Sequence, residues 1–228
     1  NKFVFGKIPE DDFLGNYINC YIGFSTDKEI RWNASSGGLI TTLLISMLEE
    51  GTIDGALVTK MNKRNPLEPD AIIARSREEI IASSKSKYCP VPVNMKIREM
   101  LRKNERFAVV GLPCHIQGIR KAERSVKKLK ERIFLHLGIF CSHTVNFYGT
   151  EFLLQKMGIA KKDVLGIDYR GKGWPGKMSI RLRCGDEKFI PPDDYWAIFG
   201  TFFFTPIRCT MCSDHTNEYA DISCGDAW

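Results

Sequence analysis

Four of the eight cysteines in this 228-residue chain have a spacing that can do chemistry. Cys209 and Cys212 form a C-x-x-C pair, which presents two thiols from one loop. Alone, such a pair serves zinc, iron–sulfur or thiol–disulfide chemistry equally well. Cys114 follows Gly111-Leu112-Pro113 at the end of one apolar run, and Cys141 follows Ile139-Phe140 at the end of another. If both runs are strands of a parallel sheet, their C-terminal ends line one crevice, where open α/β sheets bind ligands. The later pair can fold over that crevice, so that four thiolates surround one site. Zinc and a [4Fe–4S] cluster both accept four cysteines. Structural zinc sites draw on local pairs, whereas these ligands are dispersed, and Phe140, Phe202, Phe203, Phe204 and Pro206 add apolar cover. The dispersion favours the cluster over zinc, with plain core cysteines as a third reading. Cys20, Cys89, Cys184 and Cys224 are read as small buried hydrophobes, with Cys184 in a strand.

A second set of residues suits an anionic ligand. Ser35-Ser36-Gly37-Gly38 leads straight into an apolar helical pattern. Small residues let backbone approach a phosphate, and a helix N-terminus offers unpaired N–H groups; N-capping by Ser35 or Ser36 is the plainer alternative. Ser84-Lys85-Ser86-Lys87-Tyr88 puts two cations, two hydroxyls and an aromatic ring in five residues. In residues 170–177, Arg170, Lys172 and Lys177 are spaced by glycines around Trp174, in a loop that cannot be helical. This pattern reads as an anion-binding loop with a stacking surface, or as an exposed turn. The basic run over residues 120–132 reads as a solvated helix face, with docking of an acidic partner as its functional option. His115 and His143 adjoin the cysteines and are read as ordinary polar contacts.

Alternating strands and helices must position these groups. Leu39, Ile40, Leu43, Leu44, Met47 and Leu48 have helical spacing that closes at Gly51,. Residues 53–58 and 71–74 read as strands, and Ser76 with Glu79 as a capping box. Pro92 opens a helix through Met100 and Leu101. The continuous apolar run 107–110 implies a central strand covered on both faces. A helix follows Cys114, a strand spans 133–140, and a helix spans 144–157 with Gly158 as its cap. Strands are expected at 164–169, 178–183 and 220–223. The fold class is therefore α/β: a mainly parallel sheet flanked by helices over residues 1–160, then a more irregular strand-and-loop portion over 161–228 that carries the iron–sulfur site, the two forming one continuous domain. The chain starts without Met and stops at Gly225-Asp226-Ala227-Trp228, so truncation at both ends is expected.

A hydrophobic content of 43% with 26% charged residues excludes a disordered chain,. No apolar run is long enough to span a bilayer. A net charge of +6 without a nucleic-acid-binding module argues against nucleic acid,. Clustered cysteines in a chain of this size point to a reducing compartment, here the cytoplasm.

Taken in order, Ser35-Ser36-Gly37-Gly38, Ser86-Lys87-Tyr88, Gly111-Leu112-Pro113-Cys114, Phe140-Cys141-Ser142, Trp174-Pro175-Gly176, the Cys209/Cys212 pair with Asp214, and Ala220-Asp221-Ile222-Ser223 resemble the beta subunit family of coenzyme F420 hydrogenases and dehydrogenases. The resemblance implies an archaeal oxidoreductase subunit that binds FAD with a [4Fe–4S] cluster beside it. It implies hydride exchange with the deazaflavin coenzyme F420 as substrate and electron transfer within a larger complex, to other redox subunits or a ferredoxin-like domain. By position it makes Cys114, Cys141, Cys209 and Cys212 the metal ligands. It makes Ser35, Ser36, Gly37, Gly38, Ser86, Lys87, Tyr88, Arg170, Lys172, Trp174 and Lys177 flavin or substrate contacts. No catalytic side chain is implied. The competing expectation is a zinc-stabilised interaction module without flavin.

Overall fold

The computed structural model describes residues 2–11 and 15–227; Asn1 and Trp228, which end the sequence, lie outside the described residues. The described strands are β1 (Gly55–Met61), β2 (Pro69–Ala74), β3 (Phe107–Gly111), β4 (Ile133–Ile139), β5 (Val164–Asp168), β6 (Met178–Leu182), β7 (Glu187–Ile190) and β8 (Ile222–Cys224). The first sheet has the order β2-β1-β3-β4-β8 and the second β5-β6-β7. Pairing of β1 with β3, of β3 with β4 and of β4 with β8 is parallel, while β2 adds to the edge antiparallel to β1. The second sheet is antiparallel throughout.

The apolar run of β3 is central, as its composition requires. Ala108 packs on one side, with the helix Leu39–Glu49 and the inward residues of β1. Phe107 and Val109 pack on the other, with Ile116 and Ile119 of the helix Pro113–Ser125. All of these β3 residues are fully buried, which fits a strand covered on both faces,. A third core joins the second sheet to the helices Phe147–Lys156 and Pro192–Phe199 through Tyr169, Tyr195 and Phe199.

Local signals set the element ends. Gly51 takes φ +69 after the helix Leu39–Glu49, and Ser76 accepts the Glu79 N–H at 3.3 Å. Several expectations need correction. Neither Ser35 nor Ser36 caps the helix Leu39–Glu49: its N-cap is Gly38, at φ +77 with no side-chain cap. Pro92 opens only a short 3-10 turn, Val93–Lys96, and the single helical turn Ile97–Met100. Cys184 lies in the turn between β6 and β7, where it is exposed, and Cys20 is exposed too. Of the four cysteines assigned to the interior, only Cys89 is buried. The last third of the chain is more regular than its loops suggested, since it holds the β5–β7 sheet and the helix Pro192–Phe199. It also returns β8 to the first sheet beside β4. No described helix is long and apolar enough to cross a membrane.

Candidate functional site

The parallel register of β3 and β4 sets Gly111 opposite Gly138, so both strands end at one rim. Cys114 sits in the first turn of the helix that leaves β3, and Cys141 lies just past the end of β4. The short helix Ile207–Thr210 carries Cys209, and Cys212 follows it. Two hydrogen bonds fix this loop to the rim: the Cys141 N–H donates to the His215 carbonyl at 2.9 Å, and His215 Nδ1 lies 3.0 Å from the Cys141 carbonyl. Gln117 donates to Asp214 at 3.0 Å, and Asp214 accepts the Glu218 N–H at 3.0 Å.

Asn217 completes the scaffold. It is fully buried at φ +61, and its amide donates to the Gly111 carbonyl at 2.8 Å and to the Ile139 carbonyl at 3.3 Å. One side chain thus ties the C-terminal ends of β3 and β4. Any Cβ at Gly138 would stand 2.6 Å from the Asn217 amide carbon, so this approach needs glycine. No motif pointed to Asn217 or His215; their only signal is polar residues next to the cysteine pair.

The four thiols share an electrostatic field. Burial pushes Cys141 up to about 12, and Cys114, Cys209, Cys212 and Asp214 push the same way. Cys114 is raised by burial, against the opposing charge of Arg208, with Cys209 and Cys212 adding to the rise. All four are free thiols. Among the described residues no group of three or more His, Cys, Asp or Glu side chains is placed so that it could hold a metal ion. By the chemistry of its donors alone, the set Cys114, Cys141, Cys209 and Cys212 suits a [4Fe–4S] cluster as well as zinc.

The adjoining histidines make polar contacts. His115 Nδ1 accepts the Leu112 N–H at 3.3 Å, and His143 lies between Ser142 and the Phe199 carbonyl. Arg120 leaves the solvated face expected of it. It bonds Asp221 at 2.6 Å and Glu123 at 3.4 Å, and His136 bridges the same two carboxylates at 2.9 Å each.

The anion-binding candidates form a second centre. Ser35 Oγ accepts the Ser86 N–H at 2.8 Å, and the two hydroxyls are 3.1 Å apart. Arg170 donates to the Ser35 carbonyl at 2.7 Å, to Tyr88 at 3.2 Å and to the Pro175 carbonyl. Tyr88 packs on Tyr169, Tyr195, Trp196 and Phe199. Lys87 Nζ donates to the Ser83, Ser84 and Lys85 carbonyls at 2.6–2.9 Å. Its burial lowers the ammonium to about 7. Gly37 lies against Gly23 and Phe24, and Gly38 against Ser25 and Ile30; half-buried Ser36 precedes them.

Beside this centre the 170–177 loop folds on itself: the Gly171 N–H donates to the Lys177 carbonyl at 2.8 Å, and the Gly173 N–H to the Trp32 carbonyl at 2.9 Å. The loop borders a cavity of about 640 Å³, which Lys85, Asp168, Lys172, Trp174, Lys177 and Arg181 help to line. Trp174, Lys172 and Lys177 are exposed at its rim.

Comparison with known proteins identifies the family of the chain. Residues 20–98 match the family described as coenzyme F420 hydrogenase/dehydrogenase, beta subunit N-term, and residues 104–227 its C terminus. The coenzyme F420 hydrogenase subunit beta of Methanosarcina barkeri is 28% identical over 96% of this chain and 75% of its own length. That of Methanococcus voltae is 30% identical over 94% of this chain and 76% of its own. A chain of the F420-reducing [NiFe] hydrogenase complex from Methanosarcina barkeri superposes with a TM-score of 0.75 and 26% identity, covering 96% of this chain and 74% of that one. The chain therefore belongs to the coenzyme F420 hydrogenase/dehydrogenase beta subunit family.

Proposed function

We propose that this chain is an F420-dependent oxidoreductase subunit that exchanges hydride between coenzyme F420 and FAD and hands single electrons to a [4Fe–4S] cluster and a partner redox complex. FAD, when bound, supplies the conversion between hydride and single-electron transfer, and the cluster supplies the one-electron step. The protein's part is to bind, orient and shield. Cys114, Cys141, Cys209 and Cys212 would hold the cluster on the rim that Asn217, His215 and Asp214 keep in place. The turn at residues 35–38 would hold the flavin phosphates, because the helix behind it receives no side-chain cap from Gly38,. Ser86, Tyr88 and Arg170 brace that turn, and Lys172, Trp174 and Lys177 form the rim of the neighbouring cavity.

In this reading residues 1–160 carry the flavin and 161–228 cover it as parts of one unit. The chain works within a larger redox complex, as the names of its relatives favour, and in the cytoplasm, as its clustered cysteines lead us to expect,. What supports the reading is that β3 and β4 end at one rim and that Cys114 and Cys141, just beyond them, feel the charges of Cys209 and Cys212. Anaerobic purification followed by an absorption spectrum and metal analysis tests it. The expected result is a brown protein with flavin absorption and about four iron and four sulfide per chain. A colourless protein holding zinc overturns it.

A further inference from the structure

The cations of the second centre divide into two kinds. Lys87 and Arg170 donate to backbone carbonyls on several sides, which makes them struts of the loops they touch. Lys85 is held differently. Its backbone is left-handed, φ +72, a conformation free to glycine and disfavoured for lysine,. Its carbonyl accepts Lys87 Nζ at 2.9 Å, so the strut grips the strained residue itself. Its side chain is only 16% exposed and its ammonium stands 3.9 Å from Asp168, at the outer limit of an ion pair. Arg181 holds the same Asp168 oxygen at 3.0 Å. Asp168 is thus already neutralised by Arg181, and Lys85 lines the cavity with its charge only loosely engaged. Trp32 and Phe189 add aromatic surface there.

We propose that Lys85 is the cation that recognises an anionic group, phosphate or carboxylate, on the aromatic ligand of this cavity, and that Lys87 is the residue that positions it. The identity of that ligand rests on the flavoprotein reading above. FAD and the deazaflavin coenzyme both carry this chemistry.

The test titrates the full chain with FAD, with coenzyme F420 and with inorganic pyrophosphate, following tryptophan fluorescence. Lys85→Ala is expected to weaken pyrophosphate and one of the two flavins by about ten- to a hundredfold, the effect of losing one charge-assisted hydrogen bond, and to flatten the salt dependence. The flavin whose affinity moves is the ligand of this cavity. Lys85→Gly, which suits the left-handed backbone, should lose affinity equally and melt no lower than wild type. Lys87→Met should weaken the same ligand but add nothing in the Lys85→Ala background, because it acts through Lys85. Unchanged affinity for all three ligands in Lys85→Ala overturns the recognition role. A Lys87→Met penalty that stays additive in the double variant overturns the positioning role. Wild-type protein that binds pyrophosphate but neither flavin overturns the functional reading, while the pyrophosphate series still judges Lys85. Wild-type protein that binds none of the three overturns this inference.

Discussion

The cysteine rim and the aromatic cavity divide labour in opposite ways. At the rim the groups visible in the sequence, four thiols, are free, and the scaffold is polar and inconspicuous: Asn217, Asp214, His215 and Gln117. At the cavity the visible cations are themselves the scaffold, since Lys87 and Arg170 hold carbonyl oxygens. The cavity itself is lined by Lys85, Lys172, Trp174, Lys177 and Arg181 together with glycine backbone. A soft donor needs no charge partner when it awaits a metal. A buried ammonium or guanidinium must be satisfied at once, because an unpaired buried charge is very costly. Two conspicuous cations of the second centre, Lys87 and Arg170, are therefore struts, whereas in the proposed reading the conspicuous thiols are ligands.

The sharpest way to break this contrast is at the thiols. Cys209→Ser should remove most of the bound iron and spare part of the flavin, while Cys224→Ser, at the end of β8 and outside the shared field, should keep both. Iron, sulfide and flavin analysis of anaerobically purified protein reads the difference. Equal iron in wild type and Cys209→Ser would remove Cys209 from the ligand set.

Next in size is the scaffold of the rim. Asn217→Ala removes two hydrogen bonds from a buried carbonyl pair and puts alanine at φ +61. The cost is about 3 kcal/mol, or a melting point lower by about 6–12 °C. Asn217→Gly loses the same bonds without the backbone strain and should recover about 1 kcal/mol. Thermal melts that leave Asn217→Ala within 2 °C of wild type, on the order of one weak surface contact, would deny it the tie between β3 and β4.

How much of this was readable follows from the same division. The strands around Cys114 and Cys141 were legible because a central parallel strand must be apolar throughout, as Phe107 to Val109 are. That the two strands end at one rim followed from their parallel order. The turn at Gly38 was legible as the start of a helix, but its capping was misjudged, because φ +77 is a property of tertiary packing against Ser25 and Ile30. β7 and the helix Pro192–Phe199 were missed: β7 is exposed at three of its four residues, and the helix starts at a proline pair that reads as a loop. Arg120 could not be told from its solvated neighbours, since only the fold brings Asp221 and His136 to it.

That network, with His136 and Glu123 buried and Asp221 partly exposed, gives a pH test beneath the rim. Burial works against the charge of Asp221, but His136 and Arg120 overcome it and hold the carboxyl at about 2. Its contribution is present above the ordinary value of 3.8 and is lost as pH falls through about 2,. Burial also opposes the charge of His136, yet Asp221 and Glu123 raise it above 6.5. That contribution is complete below pH 6.5 and is lost as pH rises through the raised value,. Urea unfolding should therefore show greatest stability between these limits, falling as pH rises through the raised His136 value,. Asp221→Asn should lower the plateau and flatten the alkaline fall. An unchanged alkaline slope would detach His136 from the pair.

The smallest effect belongs to the cavity, and it separates the two centres cleanly. Gly173 has φ +77, and a Cβ there would meet the Trp32 ring at 3.1 Å, tighter than ordinary contact. Gly173→Ala should cost about 1 kcal/mol and lower melting by about 2–4 °C. The strain is confined to a loop whose hydrogen bonds close on Trp32 and on Lys177, so it cannot reach the strand ends that Asn217 ties. Iron content should hold at the wild-type level while ligand affinity at the cavity falls. Loss of iron in Gly173→Ala would show that the two centres fold as one cooperative unit, and would end the contrast between free ligands on one side and struts on the other.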